Sequence, residues 1–124
     1  MGEDVHAGAK ILLEGYSLAY VANAQVYHSH SYTVMQECKR YFDIGVFHKN
    51  ESWLLETFGK AEGEGIKYIK SEFLYLLKHQ AYHQIPSFFL RNGCKYLGYK
   101  LGKQYQKLSL KSIKKLSMHK SWWD

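Results

Sequence analysis

The clearest periodic signal runs from Ile66 to about Tyr82. Ile66, Ile69, Phe73, Leu76, Leu77 and Gln80 fall near one face of a helix, and Lys67, Lys70, Ser71 and Lys78 fall away from it. Pro86 punctuates the pattern. A further helix is predicted from about Ser87 to Lys107, where Leu90, Cys94, Leu97, Leu101 and Tyr105 form one stripe. Arg91, Lys95, Lys100, Lys103 and Lys107 take the rest of its circumference. Gly98 and Gly102 cost helix propensity there, which predicts that they mark a close helix–helix approach. No long apolar run surrounds this Gly-x-x-x-Gly, so it does not read as a membrane dimerisation motif.

Upstream the pattern is more mixed. Residues 3–14 read as a short helix, with Glu3 and Asp4 at its positive end and Gly15 as its stop. Ser17–Val21 and Gln25–His28 read as two short strands joined by a turn at Ala22-Asn23-Ala24. Thr33 followed three residues later by Gln36 is a capping-box pattern. The helix it opens should run to about residue 48, through Met35, Cys38, Phe42 and Val46, with Gly45 as a weak point. Asn50 is placed to cap another helix ending at Phe58, and Lys60–Gly65 is a polar, glycine-bearing break. The expected class is α+β and mostly α-helical: a short helix and strand pair over residues 1–33, then a basic helical region over 34–124.

Composition narrows the classes. The chain has 124 residues, the size of one domain. Its 46% hydrophobic and 16% aromatic content argues against disorder. No stretch approaches the ~18–20 apolar residues of a membrane span, and the N-terminal residues lack the pattern of a secretory signal, so a cytoplasmic location is expected. The net charge of +6 is unevenly spread. Residues 1–66 hold five Lys or Arg against nine Asp or Glu, and residues 67–124 hold twelve against two. The basic half suits nucleic acid, an anionic membrane surface, or simply water. No nucleic-acid recognition module is legible. Cys38 and Cys94 form no framework and no zinc pattern, and are expected as reduced thiols.

Two constellations could carry chemistry. Adjacent acids at a helix start are ordinarily dipole partners; Glu3-Asp4 could instead supply a general base at the mouth of a site. In Tyr27-His28-Ser29-His30-Ser31-Tyr32, a continued strand would point His28 and His30 to the same face. One of them could then ligate a divalent metal or donate to a phosphate, or both could be ordinary half-buried histidines. His48, His79, His83 and His119 share no spacing with acids or cysteines.

Taken together the motifs are more specific. The run Gly2-Glu3-Asp4-Val5, Gly15-Tyr16, Ala19-Tyr20-Val21, Ala24, Val26-Tyr27-His28-Ser29-His30 and Tyr32-Thr33 resembles the C-terminal part of a family 2 glycosyltransferase. The segments from Arg40 to His48, Trp53 to Leu55, Phe58 to Gly65 and Lys95 to Gly102 resemble the rhamnosyltransferase branch, which builds bacterial surface polysaccharides. The resemblance covers nearly the whole chain and is strongest from residue 2 to about 78.

The resemblance implies that residues 1–33 are the edge of a GT-A α/β catalytic domain. It implies an inverting displacement of rhamnose from a nucleotide-sugar onto a glycan or lipid-linked acceptor, with Mg²⁺ or Mn²⁺ in the full-length enzyme. Asp4 matches the catalytic aspartate and Glu3 flanks it. His28, with His30 as second choice, matches the position near metal and diphosphate. Lys10, where the family often has Arg, and Tyr32 fall on the substrate side. The family's Asp-x-Asp and nucleotide-binding strands have no counterpart in these residues, so the chain by itself is expected to be inactive. The competing expectations are a non-catalytic helical module that associates with membranes or partners, and a basic nucleic-acid-binding domain. A nucleic-acid partner is the less expected of the two. Peripheral attachment to the inner face of the cell membrane would suit the lipid-linked acceptor.

Overall fold

The structure is a computed structural model and describes residues 2–27, 31–59 and 61–124. In chain order its helices are α1 Glu3–Leu13, α2 Val34–Asn50, α3 Ser52–Phe58, α4 Ala61–Lys78, α5 Ile85–Lys103 and α6 Leu110–Leu116. Short 3-10 turns cover Tyr82–Gln84, Tyr105–Lys107 and Lys120–Trp123.

Helix α2 begins as its sequence dictates. The Thr33 hydroxyl accepts the Gln36 amide at 3.3 Å, and the Gln36 side chain accepts the Thr33 amide at 2.9 Å. Two amides that the helix itself cannot satisfy are thereby paired. Helix α1 stops at Gly15, where the Tyr16 amide reaches back to Ile11 O at 3.2 Å.

The organising contact is α2 against α5. Arg91 pairs with Glu37 at 3.0 Å, His48 hydrogen-bonds Tyr99 at 3.1 Å, and the Tyr105 hydroxyl donates to Asn50 at 2.8 Å. Residue numbers rise together along both helices, so they run parallel. Three glycines set how closely they approach. A Cβ on Gly98 would lie 2.2 Å from Cys38 O, one on Gly102 2.0 Å from Phe42 O, and one on Gly45 2.3 Å from Tyr99 O. Each glycine instead turns a hydrogen toward a carbonyl, the arrangement of a Cα–H···O contact. The expected close approach at Gly98 and Gly102 is present, and Gly45 is its third member rather than a weak point. Cys38 and Cys94 are free and half-buried. Burial, and then the neighbouring Cys94, push the Cys38 thiol pKa up.

The core grows from this seam. Phe42 and Val46 of α2 and Ile113 of α6 are buried together, with Tyr105, Leu108, Leu116 and Trp123 packed around them. Each such side chain contributes about 1.5–3 kcal/mol on burial. Helix α4 folds back antiparallel on the start of α5, with Phe73 against Phe88 and Phe89 and Leu76 buried beneath.

Several expectations need correction. The described residues contain no strand, so the α+β class with its strand pair gives way to a helical one. The turn at Ala22-Asn23 does form, with the Ala24 amide on Val21 O at 3.1 Å, but residues 16–21 and 24–27 form no strand. Tyr20, Val26 and Tyr27 stand in solvent. A two-stranded ribbon is marginal without a surface to cover, and among the described residues none buries these side chains. The polar Lys60–Gly65 stretch is no break: from Ala61 onward it is the first part of α4, with Gly63 and Gly65 inside it. Glu64 pairs with Lys67 at 2.7 Å, and acids at a helix start favour that extension. Asn50 caps nothing; Glu51 occupies the cap of α3. The Leu90–Leu97–Leu101 stripe of α5 is exposed, because the glycine face is the one that packs.

Candidate active site

The two acids at the start of α1 open onto a cleft of about 560 Å³ between α1, α2 and the C-terminal tail. Three contacts hold α1 there. Gly2 adopts φ 75°, and a Cβ on it would meet the Phe47 ring at 2.8 Å, so the helix start lies directly on α2. The His6 ring lies 3.3 Å from Glu51, whose carboxylate also accepts the Trp53 indole N–H at 2.7 Å. The Lys10 ammonium sits 5.7 Å from the centre of the Trp53 ring. Glu3 and Asp4 are both exposed at the cleft. The Glu3 backbone amide holds that carboxyl below the usual carboxylate range.

Tyr32 forms another part of the wall. Its backbone oxygen accepts Arg91 Nη1 at 3.4 Å, and its hydroxyl accepts Arg40 Nη1 at 3.1 Å. The Arg40 guanidinium lies 5.5 Å over the Tyr32 ring, so a fork of donors is positioned in the cleft that the acids also line.

The tail closes the far side. Asp43 is buried at 4% exposure, and its Oδ2 accepts the Met118 amide at 2.9 Å. Its Oδ1 has no hydrogen-bond partner among the described residues. That bond fixes the turn after α6, and the Lys114–Asp124 ion pair ties down the end of the tail. Trp123 turns inward against Tyr105, with ring centres 5.5 Å apart. Trp122 turns outward, 65% exposed, and lines the cleft with His119.

Of the residues singled out in the sequence, Glu3, Asp4 and Tyr32 meet in this cleft. Lys10 lies at the other end of α1, over Trp53, and does not line it. His28 and His30 lie outside the described residues. No group of three His, Cys, Asp or Glu side chains converges on a metal position among the described residues, so they do not by themselves fit the divalent metal. Arg40, Asp43, His119 and Trp122 also line the cleft and were not legible as site residues from sequence. Asp43 carried the one available signal, an acid between Phe42 and Ile44 on the packed side of α2.

No family model matches the chain, and no solved structure matches it. Two curated proteins do. The O-antigen chain rhamnosyltransferase WbaN of Salmonella anatum and the O-antigen chain rhamnosyltransferase RfbN of Salmonella typhimurium are each 46% identical to it over 124 residues. Both matches take in the whole of this chain, which spans 39% of the length of either relative. Along all of its residues the chain is therefore a homologue of one segment of the O-antigen chain rhamnosyltransferases.

Proposed function

We propose that this chain is the acceptor-side segment of an inverting glycosyltransferase that adds rhamnose from a nucleotide-sugar to a growing surface polysaccharide. The observation that carries the reading is the match of the whole chain to one segment of two rhamnosyltransferases, with Asp4 lining the cleft. Asp4 takes the proton of an acceptor hydroxyl while that oxygen forms its bond to the anomeric carbon of rhamnose. The bond from that carbon to the diphosphate oxygen breaks, and its electron pair leaves with the nucleotide. Glu3 shapes the acceptor side, and the Arg40 fork supplies fixed positive charge beside it. The divalent metal and the roles of His28 and His30 belong to the same proposal. The test is rhamnosyl transfer by the intact enzyme from nucleotide-rhamnose to lipid extracted from a strain lacking it. Transfer with inversion, read by NMR of the product linkage, is the expected result; retention, or transfer of a different sugar only, would overturn it.

A peripheral membrane location is the second part of the proposal. No helix of the described residues is long and apolar enough to cross a membrane. Helices α4 and α5 nevertheless expose Ile66, Leu74, Leu90 and Leu97 on a region carrying many lysines. Apolar side chains among lysines suit an anionic interface, where each base contributes about 1 kcal/mol. Trp122 and Trp123 do not act together in this, since Trp123 packs inward. Co-sedimentation with anionic vesicles should fall sharply as salt rises and be weak on zwitterionic vesicles. Equal recovery on both would remove the electrostatic anchor.

A further inference from the structure

Helix α1 is held to the rest of the molecule by a polar stripe rather than an apolar one. It buries only Ala9, while Val5, Ile11, Leu12 and Leu13 stay exposed. Gly2, His6 and Lys10 follow at four-residue steps and so share one side of the helix. That side meets Phe47, Glu51 and Trp53 in the same order. Glu51 stands at the middle of the stripe. Its Oε2 accepts the Trp53 indole N–H at 2.7 Å and lies 3.3 Å from His6 Nδ1. An indole nitrogen only donates, so the oxygen is an acceptor there, and His6 meets it favourably with a proton on Nδ1. The His6 ring also stands edge-on to Trp53, with centres 5.6 Å apart and planes at 89°. Glu51 is itself fixed at the junction of α2 and α3. Its amide donates to Phe47 O at 2.8 Å, and its carbonyl accepts the Leu54 amide at 3.0 Å.

We propose that Glu51 is a positioning residue for the rhamnosyl transfer: through His6 it sets where α1 sits on α2, and so where the Asp4 carboxyl stands in the cleft. The inference rests on the glycosyltransferase reading and deepens it. Asp4 lies two residues from both Gly2 and His6, about half a helical turn from each, so its place follows from where that stripe is pinned. Releasing His6 leaves the Gly2 contact with Phe47 and the Lys10 cation at Trp53 to hold the helix. With Ala9 alone buried, little hydrophobic burial opposes a shift. A shift of about 1 Å in a reacting group can cost on the order of 10²-fold in rate, because proton transfer needs hydrogen-bond distance. Glu51 touches neither donor nor acceptor in this role. Lys10 shares the docking, over the Trp53 ring whose N–H Glu51 holds.

The experiment uses the intact enzyme, nucleotide-rhamnose, and lipid extracted from a strain lacking the enzyme. Glu51→Ala should lower kcat about 10–10²-fold and leave the KM of donor and acceptor within about twofold. Glu51→Gln should recover most of the rate, since its amide oxygen accepts from both partners as the carboxylate does. His6→Ala breaks the same contact from α1 without altering the junction of α2 and α3, and should show the same split between kcat and KM. In an Asp4→Asn background neither alanine change should lower kcat further by more than about twofold, because both act through the Asp4 carboxyl. A merely structural role would multiply with Asp4→Asn, and that result overturns the proposal, as does wild-type kcat in Glu51→Ala and His6→Ala. Hydrogen exchange needs no turnover. The amides of α1 should exchange faster in both alanine variants, with those of α5 unchanged. If the enzyme transfers no rhamnose but α1 loosens in this way, the reaction assignment fails and the clamp on α1 stands. If rhamnose is transferred and α1 exchanges as in the unmodified enzyme, the clamp fails alone.

Discussion

Gly98→Ala and Gly102→Ala should each destabilise the protein by about 2–4 kcal/mol, while Gly93→Ala, on the same helix, should stabilise it. In a free helix all three changes would help, since alanine exceeds glycine in propensity by about 1 kcal/mol. The sign is decided by what the new methyl meets. At Gly98 and Gly102 it meets backbone oxygens of α2 at 2.2 and 2.0 Å. A backbone carbonyl cannot rotate aside as a side chain does, so α2 and α5 must separate. Separation loosens the burial of Phe42 and Val46 and strains the Arg91–Glu37 pair. At Gly93 nothing lies within 4 Å, and only the propensity gain remains. Circular-dichroism melts should therefore show Tm falling by roughly 8–16 °C for the first two, at roughly 4 °C per kcal/mol for a chain of this size, and rising for the third. A small rise in all three would mean that the parallel seam does not exist in solution.

That contrast also shows where the sequence was legible. The Gly-x-x-x-Gly spacing announced a close approach because glycine in mid-helix needs a reason. Thr33 and Gln36 announced the start of α2 because a capping box satisfies its own donors within four residues. Both are local devices. The strand character of Tyr20, Val21, Val26 and Tyr27 was equally local, but a strand is completed by a neighbour, and the described residues provide none. The leucines at 90, 97 and 101 form one stripe in the sequence, but period alone cannot tell a buried face from an exposed one. The glycine face won, since only there can two backbones meet. At the site, Glu3 and Asp4 were visible as a pair, and Tyr32 by its place in the motif. The far wall was invisible for the opposite reason. Met118 reaches Asp43 across 75 positions, and no spacing rule spans that distance.

With Asp4 as the base of the proposed rhamnosyl transfer, Asp4→Asn should lower kcat of the intact enzyme by about 10²–10⁴-fold and leave the donor KM within about twofold. The amide is nearly isosteric, so the cleft keeps its shape. It accepts no proton in the relevant range, so the attacking hydroxyl must shed its hydrogen to water. The change also removes a charge from the start of α1, which weakens the helix-dipole interaction by about 0.3–1 kcal/mol. That effect is too small to mimic the expected result, since a 10²–10⁴-fold loss is about 3–5.5 kcal/mol in the barrier. Glu3→Gln tests the same point from next door. It alters the helix-start charge equally, yet should cost far less, because in the proposed reaction Glu3 flanks the reacting hydroxyl without taking its proton. Single-turnover rates of rhamnosyl transfer for the two variants, measured beside their melting curves, separate chemistry from folding. Wild-type turnover in Asp4→Asn, or an equal loss in both variants, would show that the pair serves only the helix.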